Sequence, residues 1–157
     1  MPKSKSNTMV ANVKIAEVMT SKVISVHPDD MMDKVGEVFR AHHIHHIPVV
    51  DQHNQVVGIV SKDDYNLLCD HFTLFRREYE EVLNKKFLSS LLVKEVMTKQ
   101  VMTLHFEDPI SLAVGIFREN LFRAIPIVDD DKALCGILTT YDLLTYAFSE
   151  PLMQVNS

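Results

Sequence analysis

The sequence predicts an α+β fold: two tandem β-α-β-β-α repeats, related by a pseudo-twofold axis and packed sheet to sheet. Three observations predict it. Residues 13–68 match residues 91–146 at a constant offset of 78 without a gap, and 16 of the 56 pairs are identical; self-similarity at a fixed offset marks a repeated structural unit. Each copy carries two short, largely apolar runs on either side of a polar turn, flanked by stretches of helical periodicity. A unit of about 55 residues buries too little surface to be stable alone, so two related copies are expected to cover one another's sheets.

The expected boundaries are a polar N-terminal tail over 1–12, a first repeat over 13–70, a helical linker over 71–90, a second repeat over 91–148 and a C-terminal tail over 149–157. In the first repeat residues 23–26 read as a strand. Asp29 or Asp30 then caps a helix with the apolar stripe Met32, Val35, Val38, Phe39 and His42. The second repeat runs in parallel: residues 101–104 form a strand, Asp108 is the cap, Pro109 takes the first helical position, and Leu112, Ile116, Phe117 and Leu121 share a face. Residues 47–50 and 56–60 are strands joined by the turn Asp51-Gln52-His53-Asn54, answered by 125–128, the turn 129–132 and 134–138. The proline inside each first strand argues for a strand start or an edge. Closing helices begin near Lys62 and Thr140. Between the copies, Leu68, Phe72, Phe75, Tyr79 and Val82 are spaced as the inner stripe of an amphipathic linker helix lying on its own domain, or as a coiled-coil seam of under three heptads, with Arg76–Glu80, Arg77–Glu81 and Glu81–Lys85 paired on its wet side.

Composition narrows the function. A formal charge of -5 gives no general electrostatic reason to bind nucleic acid or an anionic membrane. The four glycines are too scattered for a Rossmann fingerprint or a Walker A loop. Cys69 and Cys135, 66 positions apart, read as reduced structural thiols. The first twelve residues are polar and no apolar run reaches the length of a membrane span, so the expected location is the cytoplasm. No nucleophile elbow or H-E-x-x-H string is present, and the chain is not expected to be an enzyme.

The duplicated motifs are specific. Glu17-Val18-Met19-Thr20 returns as Glu95-Val96-Met97-Thr98, Ile47-Pro48-Val49-Val50-Asp51 as Ile125-Pro126-Ile127-Val128-Asp129, and G-x-x-[ST]-x-x-D occurs at 58–64 and 136–142. Together, over residues 13–146, they resemble the cystathionine-β-synthase (CBS) domain pair, or Bateman module. The resemblance implies a regulatory homodimer that needs no cofactor but binds an adenine nucleotide (AMP, ADP or ATP) or an adenosyl compound as regulatory ligand, in clefts between the repeats. With the tails as expected here, its output is expected in trans through an effector protein.

The residues carry a compatible chemistry. Ser61 and Thr139 stand where a strand becomes a helix, at the positive helix end that suits a phosphate. Asp64 and Asp142 are acceptor-only carboxylates suited to a ribose cis-diol, while Gly58 and Gly136 permit close backbone approach. His45 and His46, from the run His42–His46, align with Arg123 and Ala124; in the family such positions meet ligand phosphate, so His45, His46 and Arg123 are expected to help hold it. An apolar base slot is expected from Val23, Ile24, Ile47 and Pro48, and from Val101, Met102, Ile125 and Pro126.

Two alternatives stand beside this reading. [ST]-x-x-D before an apolar run is also a helix capping box, so the motif can serve folding alone. The chain is then a ligand-free dimerisation or protein-interaction module. A metal sensor built on His42 and His45 is the second, although no cysteine or carboxylate completes a ligand set there, and no native metal site is expected.

Overall fold

The computed structural model describes residues 12–70 and 77–149. It is α+β, as the sequence predicts. A 3-10 turn at Ile15–Glu17 is followed by α1 (Met32–Ala41), β1 (His46–Val50), β2 (Val56–Ser61), α2 (Lys62–Cys69), α3 (Arg77–Leu88), α4 (Val93–Val96), β3 (Leu104–His105), α5 (Ile110–Arg118), β4 (Ala124–Val128), β5 (Leu134–Thr139) and α6 (Thr140–Ala147). The chain forms two compact units, one of residues 24–101 and the other of residues up to Val23 together with those from Met102 onward. Units and sequence repeats therefore do not coincide. The leading segment of each repeat, 13–23 or 91–101, folds with the body of the other.

The unit of residues 24–101 is built on the antiparallel pair β1–β2. Val26 bridges β1 in parallel, its N–H donating to the Pro48 carbonyl at 3.1 Å and its carbonyl accepting from Val50 at 2.9 Å. Thr98 closes the other edge with two bonds to Ile59, at 2.9 and 3.1 Å. Val26, Met32, Val35, Phe39, Ile47, Val49, Val60, Tyr65, Leu88 and Val93 form the core. The second unit repeats the plan: β3 runs parallel to β4, β4 antiparallel to β5, and Thr20 exchanges two 2.9 Å bonds with Ile137. Its core is Ile15, Leu104, Ile110, Ala113, Ile125, Ile127 and Leu138.

Proline explains why the predicted first strands are shorter than expected. Extending the parallel ladder back from Val26 would require a Pro48 N–H to donate to the Ile24 carbonyl, and proline has none. Pro126 blocks the same step toward Met102. The strand over 23–26 thus reduces to the Val26 bridge, and that over 101–104 to Leu104–His105.

The helix caps also differ from expectation. The N-cap of α1 is Met31 and that of α5 is Pro109, neither with a side-chain cap bond. Asp30 instead accepts from the His27 N–H at 2.7 Å, and Asp108 from the His105 N–H at 2.9 Å, each closing the preceding turn. Asp29 pairs with Lys94 at 2.7 Å. The first helical N–H groups are met by the leading segments: Met32 donates to the Leu91 carbonyl and Ile110 to that of Val13, at 2.8 and 2.9 Å. Such orphan donors need a partner, and here backbone supplies it. His42 is the exposed C-cap of α1, and Leu112 and Leu121 are exposed rather than packed. On α3, Tyr79 and Val82 face solvent while Leu88 enters the core, so the predicted inner stripe does not continue along it. Phe72, Phe75 and Arg76 lie outside the described residues.

Each letter of the E-V-M-T motif has a structural task. Glu17 and Glu95 accept the Lys14 and Leu92 N–H groups, at 3.2 and 2.8 Å, closing the turn. Val18 and Val96 pack against the two cores. Met19 covers Gly136, and Met97 covers Gly58, so closely that a Cβ on either glycine would overlap the thioether. The close approach these glycines allow is that of a methionine of the same unit. The final aspartate of I-P-[VI]-V-D organises the hairpin turn: Asp51 Oδ1 accepts from the His53 and Gln55 N–H groups at 2.8 and 2.9 Å, and Asp129 Oδ1 from Asp131 and Ala133 at 3.0 and 2.9 Å.

Two predictions follow from this packing. Gly58→Ala is expected to cost about 1–3 kcal/mol by overpacking, with part of the loss recovered in the Gly58→Ala/Met97→Ala double variant; additive losses in urea unfolding would refute the pairing. The Gln55 N–H, with the N–H and charge of His53, lowers the Asp51 pKa below 3.8. Its contribution to stability is therefore complete above 3.8 and lost as pH falls toward the lowered folded value. Asp51→Asn is expected to flatten that part of the acid limb in melting curves.

Candidate functional site

Each unit contains one strand-to-helix junction bearing the G-x-x-[ST]-x-x-D motif. Ser61 ends β2 with extended backbone and caps α2. Its hydroxyl accepts from the Asp64 N–H at 3.0 Å and donates to Asp64 Oδ2 at 2.7 Å. Thr139 ends β5 and caps α6 in a full capping box. There the Asp142 N–H donates to Thr139 Oγ1 at 3.2 Å, while Asp142 Oδ2 accepts from the Thr139 N–H and hydroxyl at 2.8 and 2.9 Å. Thr20 Oγ1 adds a third donor, to Asp142 Oδ1 at 3.1 Å. Both acids are thus turned onto their own caps. Ser61, Asp64, Thr139 and Asp142 are nevertheless half-buried, and solvent reaches both junctions.

The first-turn amides are largely engaged. Lys62 N–H donates to the His45 carbonyl at 2.8 Å and Thr140 N–H to the Arg123 carbonyl at 3.4 Å. These bonds fix His45 and Arg123 beside the N-termini of α2 and α6. His45 and Arg123 are exposed; His46 is half-buried at the start of β1, with Ser61 as its strand partner.

The candidate base-slot residues divide between the units. Ile24, Ile47, Pro48 and Val101 belong to the first described, and Val23, Met102, Ile125 and Pro126 to the second. Ile47 and Ile125 are wholly buried members of the cores, and Pro48 and Pro126 are buried. Val23, Ile24 and Val101 are half-buried, and Met102 is 41% exposed. Ile47 and Ile125 thus pack the cores, while the residues before each parallel bridge keep solvent-accessible surface. Among the described residues no group of three or more His, Cys, Asp or Glu side chains is arranged to hold a metal ion. No described helix is long and apolar enough to cross a membrane. Sequence reasoning missed Thr20 and the glycine-covering methionines as site neighbours. Their signal was the duplicated E-V-M-T, whose spatial partner lies in the other repeat.

The CBS domain model matches residues 15–65 and 93–149. The chain belongs to the CBS domain family. Solved CBS-pair proteins share its fold: CBSX2 of Arabidopsis thaliana is 25% identical with a TM-score of 0.72, the match covering 88% of this chain and 96% of that one. CBSX2 has also been solved in complex with AMP, at TM-score 0.69 and 25% identity over 87% of this chain and 96% of that one. The CBS domain of a membrane protein from Sphaerobacter thermophilus is 28% identical with a TM-score of 0.74, covering 88% of this chain and 90% of that one. The inosine-5'-monophosphate dehydrogenase of Methanocaldococcus jannaschii is 32% identical over 131 residues, 83% of this chain and 23% of that enzyme. The chain likewise spans 22% of an L-aspartate semialdehyde sulfurtransferase from the same organism.

Because Ser61 and Thr139 cap helices whatever else they do, Ser61→Ala and Thr139→Ala are each expected to lose about 1 kcal/mol of stability, with Thr139→Ser retaining most of it. Unchanged urea midpoints in both alanine variants would show that the caps contribute nothing.

Proposed function

We propose that this CBS pair is a regulatory module that binds an adenine nucleotide or adenosyl compound at its strand-to-helix junctions. The observation that carries the reading is the family fold, shared with a CBS pair solved with AMP. The junction chemistry supports it. Asp64 and Asp142 have acceptor capacity for ribose hydroxyls; Ser61 and Thr139, with His45, His46 or Arg123, suit a phosphate at a positive helix end. Within one unit Ile24 and Val101 offer apolar surface, with Ile47 and Pro48 buried in the same unit; within the other Val23 and Met102 do so, with Ile125 and Pro126 buried. In this reading the protein is a cytoplasmic homodimer that acts through an effector protein in trans, has no catalytic activity of its own, needs no cofactor, and binds neither nucleic acid nor membrane.

A second reading is favoured by a specific observation: both acids are engaged by their own caps. In it the motif serves folding and the protein is an interaction module without a small-molecule ligand.

A melting-temperature panel with AMP, ADP, ATP and S-adenosylmethionine separates the two. At a hundred times its Kd a ligand adds about 2.7 kcal/mol, several degrees for a domain of this size. Asp64→Ala with Asp142→Ala is expected to weaken binding about ten- to a hundredfold in calorimetry. Equal affinity in parent and double variant would overturn the site assignment, and no shift with any of the four would favour the interaction module.

A further inference from the structure

Resting on the ligand reading above, we infer that the two junctions are not equivalent: Asp64 marks the competent ribose site, and Thr20 holds Asp142 shut. An ionised carboxylate offers about four lone-pair sites. Asp142 has committed three of them, to the Thr139 N–H, the Thr139 hydroxyl and the Thr20 hydroxyl, and both of its oxygens are engaged. Asp64 has committed one, to the Ser61 hydroxyl. Among the described residues its Oδ1 has no protein donor.

A cis-diol donates two hydrogen bonds to a carboxylate. Asp64 accommodates both without giving up its cap, whereas Asp142 must first release Thr20 or its own capping donors. The difference traces to the leading segments. Thr20 and Thr98 occupy equivalent positions, each making both backbone bonds to the neighbouring strand. Only Thr20 extends its hydroxyl to the acid of its unit, and Thr98 makes no such bond to Asp64 among the described residues. Thr20 is thus a positioning residue that sets how many ligands one chain takes.

Calorimetric titration of the full chain with AMP and, separately, S-adenosylmethionine tests this. The expected result is one strong site per chain, weakened at least tenfold by Asp64→Asn and little changed by Asp142→Asn. Thr20→Val keeps the side-chain shape and both backbone bonds to Ile137; it is expected to tighten a second site about tenfold or more and move the stoichiometry toward two. Loss of the strong site in Asp142→Asn but not Asp64→Asn would overturn the inference while leaving ligand binding intact, as would two equal sites in the parent that Thr20→Val does not alter. Failure of both ligands to bind the parent would remove the ligand reading itself, and this inference with it. Melting curves of each variant separate a lost site from a lost fold.

Discussion

The bonds that Thr20 makes to Ile137, and Thr98 to Ile59, hold each unit together at its edge. They fix the leading segment of one repeat along the last strand of the other, which sets Met19 over Gly136 and Met97 over Gly58. They also bring Ile15 and Val93, both wholly buried, into the cores. The same segments supply the carbonyls that receive the first N–H groups of α1 and α5. Strand edge, core and helix ends thus depend on one short exchanged stretch. Because the donors and acceptors involved are backbone groups, removing the stretch would strand several of them at once.

Around that frame the invariant features of the two repeats divide into those that build and those that remain available. The aspartates of the hairpin turns are consumed by local amides. So are the hydroxyls of Ser61 and Thr139, in part, since their lone pairs and protons serve the caps. What remains lies at the surface of the junctions: spare carboxylate lone pairs and the half-buried aliphatic residues that precede each parallel bridge. In the proposed ligand reading a cap and a ligand contact are compatible uses of one motif, since a carboxylate has about four lone-pair sites and the caps take only some of them.

Much of this architecture was legible in the sequence. The 78-residue offset, the paired prolines and the turn residues lead directly to β1–β2 and β4–β5 and to helices starting at Lys62 and Thr140. The capping alternative is visible in S-x-x-D and T-x-x-D themselves. Less legible was anything depending on which copy a segment folds with. Asp29, Asp30 and Asp108 resemble helix caps because local spacing cannot reveal that carbonyls of Leu91 and Val13 arrive to do that work. Gly58 and Gly136 resemble ligand-facing glycines because the covering methionines lie far away in sequence. Tyr79 and Val82 fit a helical stripe, but periodicity identifies a face and not its neighbour.

The exchange also bears on how such a protein can be divided. Cutting the chain between the two repeats yields two fragments, each with a plug that belongs elsewhere and a socket left open. A fragment starting at Ile24 and stopping at Val101 instead carries matched plug and socket. A chain with a single repeat would have to borrow its missing edge from a second molecule; with two repeats in one chain the loan is internal.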